Sequence, residues 1–250
     1  MKGSFDMKLF LTTLILFSFN FTSFAFNITY FRADTVVIEN RNYSNSKSDS
    51  TAWINIDYPY IINSENSEAA NKINAALEDE FKQSISWYDE IVNDTSLFFD
   101  STYIMQYSFE TGYQVYYNTK NFLSIVLNHY QYTGGAHGNY FALGFNINLT
   151  DATFLTLTDV IQEGKLDLLA YECEEAILEE YQANSLFEAG LFENEVVIPE
   201  DQDFYIIPGA LVLQFDPYEI GPYAMGEITV EIPFEKISDI LQPDLPFVVN

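Results

Sequence analysis

The chain has 250 residues with 10 Lys+Arg against 37 Asp+Glu, a formal charge of −27, and it is 48% apolar and 17% aromatic. That much apolar content excludes a disordered acidic tail and suits a domain with a real core. The acidity excludes nucleic acid and anionic membrane surfaces as partners, because both require clustered Lys and Arg, and the basic residues here are scattered.

Residues 1–25 read as a secretory signal. Lys2 and Lys8 precede the apolar run Leu9–Phe17, and Ser23 and Ala25 put small residues at −3 and −1 of a cleavage site. The run is shorter than the ~20 residues that span hydrocarbon. The mature chain is therefore expected to be exported, periplasmic or extracellular, with no integral membrane segment after cleavage. Cleavage after Ala25 leaves 8 basic and 36 acidic side chains, a net charge of −28. Residues 26–50, with the segment RNYSNSKSDS, read as a polar tether.

Trp53–Tyr58 alternates like a strand, with Pro59 marking an edge or an end. Ser64 is the expected N-cap of a long helix over 65–92, whose apolar positions Ile73, Leu77, Tyr88 and Ile91 recur at helical spacing. Four aromatic and β-branched runs follow: Tyr103–Phe109, Tyr113–Tyr117, Phe122–Tyr130 and Tyr140–Asn148. Turns at Glu110–Gly112 and Asn118–Lys120 would make the first three a meander. A second, acidic helix is expected over 164–181, and Cys173 lies on its apolar side as a buried, inert thiol. Strands are expected at Phe204–Ile207, Ala210–Phe215 and Glu227–Phe234. The fold class is α+β: a mostly antiparallel sheet packed by two helices. The domain division read from this pattern is a strand–helix–strand unit over 51–118 and a second unit over 119–241.

The chain lacks a nucleophile elbow, an H-E-x-x-H pair, a C-x-x-C pair and a phosphate loop. No catalytic residue, cofactor or metal site is expected. The acidic stretch from Glu193 to Asp203 has no calcium-loop pattern and reads as solvated. His129 reads as a sheet position with a satisfied ring. His137, among glycines, is either a turn-locking hydrogen-bond donor or a base beside a carboxylate.

Two segments carry the functional signal. One is Tyr130–Asn139, containing Thr133-Gly134-Gly135-Ala136-His137-Gly138. The other runs from Asp203–Ile206 through Leu211–Gly226 to Ile232–Phe234, and its stretch Asp216–Gly226 puts Pro217, Tyr218, Pro222 and Tyr223 on a proline-restricted loop. Rigid loops that present Tyr are good recognition surfaces, but the same tyrosines could pack as sheet corners. The candidate ligand-binding residues are Thr133, Gly134, Gly135, His137, Pro217, Tyr218, Pro222 and Tyr223.

Taken in this order, the two segments resemble the paired domains of unknown function of bacterial exported proteins. That family includes the lysozyme-binding ectodomain of a membrane-bound anti-sigma factor and the region preceding the catalytic domain of a peptidoglycan deacetylase. The resemblance implies a non-catalytic cell-envelope binding module whose partner is a lysozyme-like cationic protein or peptidoglycan. A wall-glycan hydrolase using His137 and a carboxylate, or a purely structural envelope protein, are the alternatives.

Overall fold

The computed structural model describes residues 35–94 and 106–249. The signal segment and Tyr103–Met105 lie outside the described residues. Six strands form one sheet in the order β1 (Val37–Ser46), β2 (Ala52–Asn63), β3 (Tyr107–Asn118), β4 (Phe122–Tyr132), β5 (Asn139–Asn148) and β6 (Thr153–Leu155). All neighbours are antiparallel except β2 and β3, which run parallel over Ala52–Ile56. A second antiparallel sheet holds β7 (Phe204–Ile207), β8 (Ala210–Phe215) and β9 (Ile228–Pro233). The architecture is α+β, mostly antiparallel, with two long helices.

The first long helix, α1 (Ser67–Asn93), packs Ile73, Leu77, Phe81 and Tyr88 against Ile54, Ile56, Leu123, Ile125 and Leu127 of the first sheet. Asn66, not Ser64, caps it, accepting from the Ala69 N–H at 3.1 Å. Asn74 shows why a polar residue sits on this buried face. Beyond Ile56, β2 has no β3 partner, and Asn74 satisfies both backbone groups of Ile61 there at 2.8 and 2.9 Å.

The second core lies between β7–β9 and four helices: α2 (Leu157–Val160), α3 (Leu166–Tyr181), α4 (Leu186–Ala189) and α5 (Phe234–Ile237). The inward alternation of Ile228, Val230 and Ile232 follows the strand period. Cys173 is buried in this core, and burial pushes its thiol up to about 12.

Three expectations need correction. Residues 37–46 are not tether: they form β1, paired along its length with β2, because Ile38, Tyr43 and Ile61 have apolar surface to share while the Asn and Ser side chains face out. Glu110–Gly112 is not a turn, since β3 runs straight through it and Thr111 points inward opposite His129. The boundary at 118/119 falls within the β3–β4 hairpin, so β3 and β4 stand in one sheet. The turn after Asn118 is present, closed by Thr119, whose Oγ1 accepts from the Phe122 N–H at 3.0 Å.

Candidate functional site

The two sheets meet along the free edge of β5. Between Asn139 and Gly144 this strand has β4 on one side only, so its outward N–H and C=O groups need partners. Side chains of the second sheet supply them. The Ala142 N–H donates to Asp216 Oδ1 at 3.0 Å and the Gly144 N–H to Asp203 Oδ1 at 2.9 Å. Gln214 Nε2 donates to the Ala142 carbonyl at 2.9 Å. Asn146 Nδ2 donates to the Phe204 carbonyl at 2.8 Å, and Ser124 Oγ accepts from the Ile206 N–H at 2.9 Å. The backbones approach so closely that a Cβ on Gly144 would lie 2.1 Å from the Phe204 carbonyl oxygen. Burial raises the Asp203 carboxyl above its ordinary range and pushes Asp216 up to about 6, with neighbouring carboxylates adding to the shift.

This junction positions the two motif loops. β5 starts just after Gly138, and β8 ends just before Asp216. In the first loop Gly134 and Gly135 take φ of +95° and +103°, a region closed to residues with a Cβ at little cost. At Gly138 the constraint is different: a Cβ there would lie 2.5 Å from the tip of the Tyr130 ring, which would have to shift. Tyr132 Oη donates to the Gly135 carbonyl at 2.9 Å and holds the loop from below.

In the second loop, the Glu219 N–H donates to the Asp216 carbonyl at 3.0 Å, closing a β-turn with Pro217 at its second position. Tyr218, the third residue, has φ +75°. That is the pattern of a type II turn, where the third position is ordinarily glycine. A tyrosine there costs about 1 kcal/mol or more of backbone strain. Its side chain is nevertheless 57% exposed.

The loops touch through Tyr223. Its Oη donates to the Gly138 carbonyl at 2.8 Å, and His137 Nδ1 lies 2.9 Å from the same oxygen, which makes Nδ1–H the donor. The His137 ring stacks on Tyr223 at 3.9 Å between centroids. Tyr218 and Tyr140 lie on other sides of Tyr223, each 5.7 Å away. Of the eight predicted residues, His137, Tyr218 and Tyr223 form this ring cluster and Gly134 and Gly135 shape it. Pro217 and Pro222 fix the second loop's course, Pro222 preceding the 3-10 turn Tyr223–Met225. Thr133 is exposed and makes no hydrogen bond to the second loop. Tyr130, Asp203 and Asp216 lie in the motif segments but not among the eight candidate residues, and Tyr140 lies just outside the first segment. Period-2 alternation leading out of the glycine loop was the signal for Tyr140.

His137 bonds to main chain and is exposed. His129, the other histidine, is buried: its Nδ1 lies 3.2 Å from Thr111 Oγ1, and its ring stacks on Phe141 at 4.6 Å. Its Nε2 has no protein partner, and the residue lines a cavity of about 10 Å³. Desolvation pushes its pKa down to about 4. Among the described residues no three His, Cys, Asp or Glu side chains converge to hold a metal, including those of 193–203. No helix among them is long and apolar enough to cross a membrane.

Fold and loops together define a tandem module: a helix-backed six-stranded sheet, with a second α+β unit sealing its edge. Comparison with known proteins agrees. The family model for deacetylase PdaC matches residues 44–140, and that for the protein of unknown function DUF3298 matches residues 158–235. The two matched domains stand in tandem along this chain. The His137 loop falls in the first matched region, although the sequence reading grouped it with the second unit. A peptidoglycan-N-acetylmuramic acid deacetylase of Bacillus subtilis is 28% identical over 144 residues, 52% of this chain but only 28% of that protein's length. A crystal structure of a DUF3298 family member from Bacteroides fragilis superposes with a TM-score of 0.69 at 19% identity, covering 84% of this chain and 96% of its own. One from Pseudomonas aeruginosa gives 0.65 at 17% identity over the same fractions.

Proposed function

We propose that this chain is an exported cell-envelope module that holds peptidoglycan without cleaving it, using the 133–138 and 216–226 loops as one recognition surface. The observation that carries this reading is Tyr218, kept exposed at φ +75° beside the stacked Tyr223–His137 pair. Strain retained at an exposed aromatic is the mark of a functional position. Tyrosine rings offer flat apolar area to sugar C–H faces, and Glu219 on the same turn offers an acceptor for hydroxyls. The deacetylase relative, named for peptidoglycan, supports the same ligand class.

A second reading, a basic wall-degrading enzyme of lysozyme type as partner, is favoured by the −27 charge of the whole chain and by exposed Phe187 and Phe192 among Glu188, Glu193 and Glu195. Opposite fields raise association rates. Co-sedimentation with insoluble peptidoglycan decides between them, run beside a lysozyme titration at ~50 mM and ~150 mM salt, conditions that differ in screening length. Peptidoglycan retention that is lost in Tyr218→Gly supports the first reading. Salt-sensitive lysozyme binding with no retention supports the second. Release of reducing ends from the glycan, abolished by His137→Ala, would overturn both in favour of a hydrolase.

A further inference from the structure

The aromatic cluster at the loops continues across the first sheet. Thr111, His129 and Phe141 point to the α1 side, where His129 reaches Ser84. Strand alternation therefore turns Glu110, Tyr130 and Tyr140 to the opposite face. Register pairs set four side chains of that face in one row: Asn55 beside Glu110, Glu110 beside Tyr130, and Tyr130 beside Tyr140. Such partners stand about 4.5–5.5 Å apart at Cβ. Tyr140 lies 5.7 Å from Tyr223, and Tyr223 lies 5.7 Å from Tyr218, so the row runs unbroken from β2 to the exposed turn of the second loop. β7 covers this face farther along, where Tyr205 stacks on Tyr116 and packs with Val126 and Ala142. Glu110, Tyr130 and Tyr140 stay half-buried.

Gly112 supplies an independent indication of a ligand. It lies inside β3, on the face of Glu110 and opposite Asn128. A mid-strand glycine weakens its strand, and its usual reasons are a bulge, a bend, or the close approach of a ligand or another backbone. The register passes through Gly112 without a shift, the irregularity of β3 falling later, between Val115 and Tyr117. Its φ is not among the positive ones. Nothing lies within 4 Å of where its Cβ would stand. The fold itself gives no reason for this glycine, which leaves approach from outside.

The polar groups along the row indicate what approaches. Tyr223 Oη is committed to the Gly138 carbonyl and Tyr140 Oη to the main chain of Glu227, which fixes both rings in advance of binding. Tyr130 Oη and the Glu110 carboxylate make no hydrogen bond among the described residues, and burial alone holds Glu110 above its ordinary range. Fixed rings beside free hydroxyl and carboxylate groups suit a chain of sugars, each with a C–H face and hydroxyls. An acidic peptide would instead meet Glu110, Glu219 and Glu227.

We propose that the loop site extends as a linear subsite over the first sheet, from Tyr218 through Tyr223, Tyr140 and Tyr130 to Glu110 and Asn55, and that it takes an uncharged glycan strand. This rests on the peptidoglycan reading of the loops and names the part of that polymer they hold.

The test is calorimetric titration of the whole protein with β-1,4-linked N-acetylglucosamine oligomers, from the disaccharide to the hexasaccharide. Affinity should rise by about tenfold or more with length, as further sugars reach Tyr130 and Glu110. Gly112→Ile favours the strand but fills the open floor beside Glu110, and it should weaken hexasaccharide binding by about tenfold. Tyr130→Ala and Glu110→Ala, which empty the row rather than fill it, should weaken it as well. A urea midpoint for Gly112→Ile at or above that of the wild type excludes misfolding as the cause. Affinity independent of length, or equal hexasaccharide binding by wild type and all three variants, overturns the proposal. Retention of whole peptidoglycan with no binding of any oligomer also overturns it, assigns the peptide part of the polymer, and leaves the loop reading standing. Absence of both retention and oligomer binding defeats the loop reading and this proposal with it.

Discussion

Replacing Gly144 by alanine tests whether the sheets are joined as described. A Cβ at this position lies 2.1 Å from the Phe204 oxygen and 2.9 Å from its carbon, both backbone atoms, so no side-chain rotation relieves the overlap. β7 must retreat by about 1 Å to reach ordinary van der Waals distance. That retreat lengthens the Gly144–Asp203 bond from 2.9 Å and the Asn146–Phe204 bond from 2.8 Å. A bond to a charged group is worth about 1.5–3 kcal/mol and a neutral one about 0.5–1.5 kcal/mol. Gly144→Ala should therefore cost about 3 kcal/mol, or roughly 6–12 °C in Tm for a chain of this size. The measurement is urea denaturation beside Gly112→Ala, where nothing lies within 4 Å of the new methyl group. Gly112→Ala should be neutral or slightly stabilising, since alanine lowers the entropy of the unfolded chain. Equal midpoints for the two variants would refute the close approach of β7 to β5.

The remaining predictions concern strain, protons and the thiol. Tyr218→Gly should raise stability by about 1 kcal/mol, because glycine adopts φ +75° freely, while ligand retention falls. Thermal melts beside co-sedimentation check both directions. His129 is buried neutral with a pKa of about 4 against an ordinary 6.5. The unfolded chain takes up its proton first, so the stability it contributes is whole above pH 6.5 and declines as pH falls towards 4, by up to about 3 kcal/mol. His129→Gln should flatten that acid slope in urea midpoints read from pH 7.5 to 4.5. Asp216 acts with the opposite sign. Its raised value of about 6 means that folding favours the protonated form, so its contribution is present below pH 3.8 and lost as pH rises through 6. Asp216→Asn keeps an acceptor for Ala142 and should steepen the acid loss while leaving stability at pH 7.5 equal or higher. Cys173, with its thiol pushed up to about 12, should ignore a thiol reagent in the native state and react stoichiometrically in urea.

What the sequence disclosed follows from local periodicity. The α1 face, the alternation of β9 and the turn at Asn118–Lys120 are encoded within a few residues of themselves, and each stands within two or three residues of its expected place. Where pairing partners decide, the reading failed. β1 is a run of Asn, Ser, Glu and Arg that is a strand only because β2 lies beside it. Glu110–Gly112 has turn composition, but His129 and the hairpin partner β4 hold it extended. Asp203, Asp216 and Gln214 read as loop and strand polars. Their work is to complete the backbone of β5, some 60–70 positions earlier in the chain.

That last relation explains why two motifs about 80 residues apart make one surface. The first motif ends where β5 begins, and the loop of the second begins where β8 ends. Asp216 and Gln214, at the end of β8, both bond to Ala142, near the start of β5. One backbone position thereby ties the exit of one loop to the entry of the other, and Tyr223 can reach the Gly138 carbonyl only because of it. The buried carboxyl of Asp216 costs stability at neutral pH, and an apolar residue could not replace it without orphaning the Ala142 N–H. The polar cost at the sheet junction is therefore part of how the loops are held, and a change that separates the sheets, such as Gly144→Ala, should disperse the His137–Tyr223 stack even though neither ring is touched.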